Sequence, residues 1–329
     1  MKGLILCAGK GTRLYPITAA YPKTLIPVAN IPILHSSIKK LTEQGITDIG
    51  IVIHPSQHNQ IYESVGNGNQ WGAALTYIYQ NEAKGIADAV KQAEPFVGND
   101  NFILLLGDNL FSESLSELRL DVEERGSQGS LLVAEVANPQ DYGIANVSEG
   151  RIIGVEEKPR EPKSKLAVLG AYAFTHSIFR AVHEIAPSAR GEYEITEAIQ
   201  WLINENLRVT YHVTKRANSD VGTIERWLEA NRHALDARDA NGIHETAQLI
   251  NCTIEGPVSI AEGSVLKNCH IGPYVSIGSN CILEGCRIEN SILLNRVQFK
   301  QAPAAIRNTV IGIGSAMLGL QPRGEGGKQ

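Results

Sequence analysis

An apolar residue returns about every six positions near the C-terminal end of the 329-residue chain, and this period limits the possible folds more than any other feature. Small and polar residues, mainly Gly, Ser, Asn and Cys, fill the intervals. Such a pattern is typical of a hexapeptide β-helix, in which each short strand stacks on the strand one turn earlier. We therefore predict a β-helix over residues 245–318, with a small antiparallel β-domain as the alternative. The periodic positions are Ile254, Ile260, Leu266, Ile271, Ile277, Leu283 and Ile288.

Five cysteines, an odd number without a CxxC pair, favour a reducing compartment, and we expect a cytoplasmic protein. Four of them fall in the periodic region, where we expect small side chains in or near the interior of the coil and not a metal site. These four are Cys252, Cys269, Cys281 and Cys286. Residues 319–329, which end in QPRGEGGKQ, are expected to form a disordered tail.

Before residue 245 the pattern is different, because apolar runs alternate with helical patterns. GLILCA and NFILLLGDN have the continuous apolar character of buried strands, whereas ILHSSIKKLTEQG has apolar residues at helical spacing. This alternation predicts an α/β fold over residues 1–240: a Rossmann-like mixed, mostly parallel sheet with helices on both faces. Residues 130–175, which are richer in strand patterns, are expected to add a substrate-binding subregion. Sheets of this kind bind ligands beyond the carboxyl ends of their strands.

The charge balance gives no reason to expect a nucleic-acid surface. The formal net charge is −5 and the sequence pI is near 6.0. No apolar run approaches the roughly 20 residues of a membrane helix, and a strand pattern begins at once, so we expect neither a membrane segment nor a signal peptide. An anionic substrate would need a local cluster of cations, since the molecule as a whole does not attract it.

The opening stretch GLILCAGKGTRLYP supplies such cations beside a glycine-rich turn. It lacks the third glycine of the dinucleotide fingerprint and the Gly-Lys-Ser/Thr order of the P-loop, so neither familiar phosphate motif is present. What remains is a turn with Gly9 and Gly11, followed by Arg13 and then Lys23. Exposed backbone N–H groups and an arginine fork bind phosphate oxygens, so the loop predicts a pyrophosphate or triphosphate site. A simple tight turn with a solvated lysine is the alternative.

The stretch GKGTRLYPITAAYPKTLIPVANIPIL resembles the signature of the sugar nucleotidyltransferases, the nucleotide-sugar pyrophosphorylases. The resemblance covers roughly residues 1–240, and several separated motifs agree with it in order and spacing. It implies transfer of a nucleotidyl group from a nucleoside triphosphate to a sugar-1-phosphate, with Mg²⁺ as cofactor. The periodic extension fits the longer members, which carry a C-terminal left-handed β-helix, and we expect a homo-oligomer.

The resemblance also assigns roles to particular positions. It implies nucleotide contacts from the opening loop and from the segment YIYQNEAKGIADA, sugar and sugar-phosphate contacts from three later segments, and two aspartate ligands for Mg²⁺. The expected nucleotide-binding residues are Ala8, Gly9, Gly11, Thr12, Arg13, Gln80 and Gly85. The sugar-phosphate residues are Tyr142, Gly143, Glu157, Lys158 and Tyr172. The metal ligands are Asp108 and Asp220, and the catalytic cations are Arg13, Lys23 and Lys158.

The residues support these roles independently only in part. Asp108 ends an apolar strand, where a carboxylate is costly without a partner such as a cation, although a helix N-cap is the alternative. Asp220 by itself reads as an N-cap of the next helix. Asp88 departs from the family, where a polar neutral residue or His is more usual. Two other functions stay open: a regulatory subunit without turnover, and an acyltransferase of the hexapeptide type.

Overall fold

The computed structural model describes residues 1–9, 11–215, 218–238, 241–300 and 305–318. The expected tail at 319–329 therefore lies outside the described residues. By contacts the chain forms two units, one made of Met1–Ile26 with Ile33–Asp220, the other of Pro27–Pro32 with the chain from Val221 onward.

The first 220 residues contain the following strands: β1 (Lys2–Leu6), β2 (Pro27–Val28), β3 (Ile31–Pro32), β4 (Asp48–Ile53), β5 (Ala74–Tyr79), β6 (Phe102–Leu106), β7 (Asn109–Phe111), β8 (Gly129–Glu135), β9 (Gly143–Ser148), β10 (Arg151–Glu157), β11 (Leu166–Phe174), β12 (Val209–Val213) and β13 (Asn218–Asp220). The helices are α1 (Ile17–Ala20), α2 (Ile33–Thr42), α3 (His58–Val65), α4 (Ile86–Gln92), α5 (Glu94–Val97), α6 (Ser116–Glu123), α7 (Ile178–Glu184), α8 (Ile195–Asn204) and α9 (Ile224–Asp236).

The main sheet of the first unit runs in the order β10-β9-β11-β6-β1-β4-β5, with β8 pairing β11 and β12. β1 is parallel to both β6 and β4, and β4 is parallel to β5, whereas β11 is antiparallel to its neighbours. The central strands are buried on both faces, which explains their continuous apolar runs. The carboxyl ends of four parallel strands therefore meet at one edge.

Helices cover both faces of this sheet, as the alternating pattern predicts. On one face, Leu4 and Leu104 belong to a buried cluster with side chains of α4, α7 and α8. On the other, Ile5 and Leu105 belong to a cluster with side chains of α2, α3 and α6. Adjacent residues of one strand thus serve opposite layers, and the predicted α/β class is confirmed.

The second unit contains three stacks of short parallel strands. One is β14-β17-β20-β23-β26, the next β15-β18-β21-β24-β27 and the third β16-β19-β22-β25. These strands are β14 (Gly242–Ile243), β15 (Gln248–Ile250), β16 (Thr253–Ile254), β17 (Val258–Ile260), β18 (Val265–Lys267), β19 (His270–Ile271), β20 (Val275–Ile277), β21 (Ile282–Glu284), β22 (Arg287–Glu289), β23 (Ser291–Leu293), β24 (Gln298–Lys300), β25 (Ile306–Arg307), β26 (Val310–Ile311) and β27 (Ala316–Leu318).

The stacking places the periodic apolar residues one above another. Ile260 pairs with Ile277, Leu266 with Leu283, and Ile271 with Ile288 on successive turns. All six side chains lie in one buried core, together with Cys269, Cys281 and Cys286. The arrangement is consistent with the expected left-handed β-helix, and the small cysteine side chains fill its interior.

The hairpin of β2 and β3 belongs by contacts to this second unit. Its turn residues Ala29 and Asn30 both have positive φ, 48° and 64°, which is the backbone of a tight two-residue hairpin turn. Asn231 of α9 accepts a hydrogen bond from the Ala29 N–H at 2.9 Å, and Asn30 donates to the Ser259 hydroxyl at 3.0 Å. The turn, in which Ala29 has a φ that alanine rarely adopts, is therefore held by hydrogen bonds to side chains distant in sequence.

A buried carboxylate links α6 to the strands β8 and β12 in the first unit. Asp121 is 4% exposed and accepts hydrogen bonds from Ser130 at 2.8 Å and Thr210 at 2.6 Å. His212 lies 2.8 Å and Arg125 2.9 Å from its oxygens. Burial raises the pKa of Asp121, but these four partners more than offset it and lower the pKa from 3.8 to about 2.

Replacing Asp121 with Asn is expected to lower the free energy of unfolding by about 2 kcal/mol at neutral pH. Because the folded-state pKa lies below the ordinary value, this stabilisation is complete above about pH 5 and is lost as the pH falls through about 4 towards 2. Urea unfolding at pH 7, 5 and 3 measures the gap between the two proteins. Glu117→Gln, which removes only an exposed partner of Arg125, is the control and should change stability by less than about 1 kcal/mol. A gap that stays constant from pH 7 to pH 3 would contradict the assignment.

Candidate active site

A cavity of about 240 Å³ opens at the sheet edge where the carboxyl ends of β1, β5 and β6 meet. Its wall combines residues that follow these strands with the start of α4 and with one residue ahead of α8. Ligand sites of open α/β sheets lie at this edge. The lining includes six of the residues expected from the sequence: Ala8, Gly9, Lys23, Gln80, Gly85 and Asp108.

The opening loop leaves space beside its first glycine. A Cβ atom at Gly9 would meet no atom within 4 Å, whereas Gly11 has a φ of +63° and begins a short 3₁₀ turn over Thr12–Leu14. Leu14 is buried and anchors this turn, while Thr12 and Arg13 are exposed. Within the described part of the chain, Arg13 has no hydrogen-bond partner. Gly11, Thr12 and Arg13 do not line the cavity, so they are available to a ligand that extends beyond it.

Lys23 joins the two aspartates that the sequence analysis assigns to a metal. Its ammonium nitrogen lies 2.5 Å from Asp108 Oδ2 and 3.5 Å from Asp220 Oδ1, although Lys23 itself is only 8% exposed. The ribbon of β7 and β13 explains this convergence, because its register places Asp220 opposite Asn109. Two carboxylates from distant parts of the chain therefore share one cation.

The donor set at this point fits a magnesium ion that completes its shell with substrate. Mg²⁺ is commonly held by one or two carboxylates together with phosphate oxygens and water. The described residues contain no group of three or more His, Cys, Asp or Glu side chains arranged to hold a metal. Asp108 and Asp220 thus suit a hard cation that arrives with phosphates and do not suit a cage built by protein alone.

Gln80 and Gly85 lie together at the far wall of the cavity. Gln80 is 5% exposed, and its amide nitrogen donates to Asp88 Oδ2 at 2.7 Å and to the Gly85 carbonyl at 3.3 Å. Gly85 has a φ of +108°, and a Cβ atom there would lie 2.5 Å from the carbonyl oxygen of Tyr193. The missing side chain therefore permits the close approach of the segment ahead of α8.

Four of the five residues predicted to contact the sugar phosphate, Tyr142, Gly143, Glu157 and Lys158, lie where β9 begins and β10 ends. Glu157 pairs with Gly143 across these strands, and its Oε2 accepts a hydrogen bond from Thr196 at 3.2 Å. A Cβ atom at Gly143 would lie 3.1 Å from that same oxygen. Burial raises the pKa of Glu157, and the nearby Glu194 carboxylate raises it further.

Lys158 follows with a backbone conformation that is unusual for a side chain of its size. Its φ is +46°, its N–H donates to the Tyr142 carbonyl at 3.0 Å, and its side chain is exposed. Such left-handed residues are costly and cluster at functional sites. The backbone hydrogen bond to Tyr142 holds Lys158 directly after β10, beside the start of β9.

Tyr172, which the sequence predicts to contact the sugar phosphate, is buried in the core of the first unit. It is 3% exposed, belongs to the core, and stacks on Phe174 with ring centroids 5.7 Å apart. Burial raises its pKa, and the charges of Glu157 and Asp108 add to this effect. Tyr172 does not line the cavity, so in this structure it is a core residue beneath the sheet edge and not a wall of the cavity.

Arg190 is a residue of the candidate site to which sequence reasoning gave no role. It lies 2.7 Å from Glu194 and 3.3 Å from Glu157. In its segment, RGEYEITEAI, the arginine stands close to Glu192 and Glu194, and this pattern is the signal from which a role could have been predicted. Cys7 also lines the cavity, but burial raises the pKa of its thiol to about 12, so it stays protonated.

Comparison with known proteins identifies the family of this chain. The chain belongs to the nucleotidyl transferase family, which residues 2–237 match. A second match, to the fucose pyrophosphorylase domain, covers residues 195–311. The resemblance inferred from the opening motif is thereby confirmed.

Among similar proteins, a low-salt glycan biosynthesis nucleotidyltransferase of Haloferax volcanii is 38% identical over 265 residues, which is 80% of this chain and 74% of that protein. A glucose-1-phosphate thymidylyltransferase of Streptomyces antibioticus is 37% identical and is covered to 78% of its length. A crystal structure described as a Bacillus anthracis glucose-1-phosphate thymidylyltransferase in complex with sucrose has a TM-score of 0.67 and 38% identity, and covers 73% of this chain and 96% of that one. Among the described residues, no helix is both long and apolar enough to cross a membrane.

Proposed function

We propose that this protein transfers a thymidylyl group from dTTP to glucose-1-phosphate, giving dTDP-glucose and pyrophosphate. The observation that carries the proposal is the cavity in which a glycine-rich loop, Lys23, Asp108 and Gln80 meet. Phosphate-binding and base-reading groups thus share one space, as a nucleoside triphosphate requires. The named activity of the Streptomyces relative supports the choice of substrates.

The reaction needs alignment and charge neutralisation more than a base. The sugar phosphate is an anion at pH 7, and one of its oxygens attacks the α-phosphorus of the triphosphate. A new P–O bond forms there, the bond to the bridging oxygen of the β-phosphate breaks, and pyrophosphate leaves with that electron pair. Catalysis then consists of holding two anions in line and stabilising the charge at the α-phosphate.

The chain supplies cations for each part of this arrangement. We assign Arg13 and the loop backbone to the β- and γ-phosphates, Lys23 to the α-phosphate, and Lys158 to the sugar phosphate. Asp108 and Asp220 would hold Mg²⁺, which when bound neutralises phosphate charge and orients the phosphate oxygens. Glu157, fixed by Thr196 and Arg190, would accept hydrogen bonds from sugar hydroxyls.

The base assignment follows from Gln80. An amide at this buried position can pair with the N3–H of thymine or uracil, and a purine would be excluded by size. Thymine and uracil differ by one methyl group, which is worth about 1–3 kcal/mol at most. We therefore expect dTTP to be preferred, with UTP within roughly a hundredfold.

Pyrophosphate release measured with Mg²⁺ across dTTP, UTP, CTP, ATP and GTP tests the proposal, each with glucose-1-phosphate and with several other sugar-1-phosphates. The expected result is the highest kcat/KM for dTTP with glucose-1-phosphate, UTP second and the other three far behind. A higher kcat/KM for ATP or GTP would overturn the base assignment. Light scattering of the same preparation tests the expected homo-oligomer.

A further inference from the structure

The amide of Gln80 has a fixed orientation because both of its N–H groups are occupied. One donates to Asp88 Oδ2 at 2.7 Å and the other to the Gly85 carbonyl at 3.3 Å. The Asp88 carboxylate and a backbone carbonyl are acceptors without a proton to give. Turning the amide by 180° would bring its oxygen against two acceptors at a nearly buried position, where hydrogen bonds left unmade are unfavourable.

The remaining polar atom of this side chain is its carbonyl oxygen. Within the described residues, Gln80 Oε1 accepts no hydrogen bond, and Gln80 is part of the cavity wall. Because its neighbours occupy both N–H groups, the atom of Gln80 that is left to contact a ligand in the cavity is a hydrogen-bond acceptor.

We propose that Asp88 is the positioning residue that makes this cavity select bases with an N3–H group, because it locks Gln80 with its oxygen towards the base. The inference rests on the proposed function, since it takes the base to lie against Gln80. Thymine and uracil carry a hydrogen on N3, whereas cytosine has an unprotonated N3 acceptor there. Opposite Gln80 Oε1, cytosine would place acceptor against acceptor.

Asp88 suits this role by its place in the fold. It lies in the first turn of α4, whose N-cap residue is Gly85, so a negative charge there is also favourable for the helix. The helix holds the carboxylate on a rigid element three residues after the glycine that supplies the second acceptor. Both constraints on the amide therefore come from one short segment.

The test compares UTP with CTP, which carry the same charge and sugar and differ only in the base. For the unaltered protein we expect kcat/KM with UTP to exceed that with CTP by at least roughly a hundredfold. Asp88→Leu removes the carboxylate acceptor, and we expect the ratio to fall at least tenfold, partly through a rise in kcat/KM for CTP. Asp88→Asn can present either its oxygen or its N–H to Gln80, so we expect a smaller fall in the ratio. The ratio cancels any general loss of activity, so a merely structural role of Asp88 would not move it.

Gln92→Ala is the matched control. Gln92 contacts the other oxygen of Asp88 at 3.4 Å, so its removal disturbs the same carboxylate without freeing Gln80. We expect its UTP:CTP ratio to stay within twofold of the unaltered protein. Equal losses with both nucleotides in the two Asp88 variants, or an unchanged ratio in a folded Asp88→Leu protein, would overturn the inference and leave the proposed function standing. An unaltered protein that uses neither dTTP nor UTP would overturn both.

Discussion

Replacing Asp108 with Asn is expected to lower kcat by about a thousandfold while the protein stays folded. The substitution keeps the size of the side chain and one oxygen but removes the charge that we assign to Mg²⁺, and loss of a metal-held charge is worth several kcal/mol in the transition state. The fold should survive, because Asp108 lies at the end of β6 outside the core and Lys23 keeps Asp220 as a partner. Steady-state kinetics over a range of Mg²⁺ concentrations, with a thermal melt of each protein, measure both effects.

Asp100→Asn is the matched control for this experiment. Asp100 also pairs with a lysine of the first unit, at 3.3 Å from Lys2, but it is exposed, lies before β6 whereas Asp108 follows that strand, and does not line the cavity. We expect its kcat to stay within twofold. A variant of Asp108 with nearly normal kcat at limiting Mg²⁺ would contradict the assignment of the two aspartates to the metal.

Replacing Arg13 with Lys is expected to lower kcat by about a hundredfold, even though the positive charge is kept. A guanidinium spans two phosphate oxygens with parallel N–H groups, whereas an ammonium contacts them as a single point. The residue is exposed and has no hydrogen-bond partner in the described chain, so the change should leave the melting temperature unaltered. The measurement is the separate determination of kcat and KM for the nucleotide.

The separation of kcat from KM decides what Arg13 does. A loss in kcat indicates a contact that strengthens as charge gathers in the transition state, while a rise in KM alone would assign Arg13 to ground-state binding. Arg151→Lys, at an exposed position on β10, controls for the general effect of replacing an arginine. Its kinetics should match those of the unaltered protein.

Much of the fold follows from patterns that are local in the sequence. Buried parallel strands have continuous apolar runs, so β1 and β6 could be recognised from GLILCA and NFILLLGDN alone. The β-helix could be recognised for a related reason, because each turn repeats the same environment and therefore the same residue type. For the strands a few neighbouring residues carry the signal, and for the β-helix a repeat at regular spacing from Ile254 to Ile288 carries it.

The geometry of the candidate site was harder to predict from the sequence, because it depends on pairings between segments that are distant along the chain. Nothing near Asp220 in the sequence shows that it meets Asp108; the β7–β13 ribbon brings them to one ammonium. Likewise the sequence does not show that the Tyr193 carbonyl lies so close to Gly85 that a side chain there would not fit. From the sequence, Asp88 could be recognised only as a departure from the family. The hydrogen bond that it accepts from Gln80 became known only from the structure.

The membership of the β2–β3 hairpin in the second unit has a consequence for the order in which the protein is made. Asn30 leaves the ribosome 229 residues before its partner Ser259, an interval of roughly 10–45 s at typical rates of synthesis. During that time the hairpin lacks its hydrogen-bond partners on α9 and in the β-helix. Completion of the second unit must therefore wait until the β-helix strands have emerged, and a stall in translation before residue 259 would leave an early segment of the nascent chain exposed to chaperones and proteases.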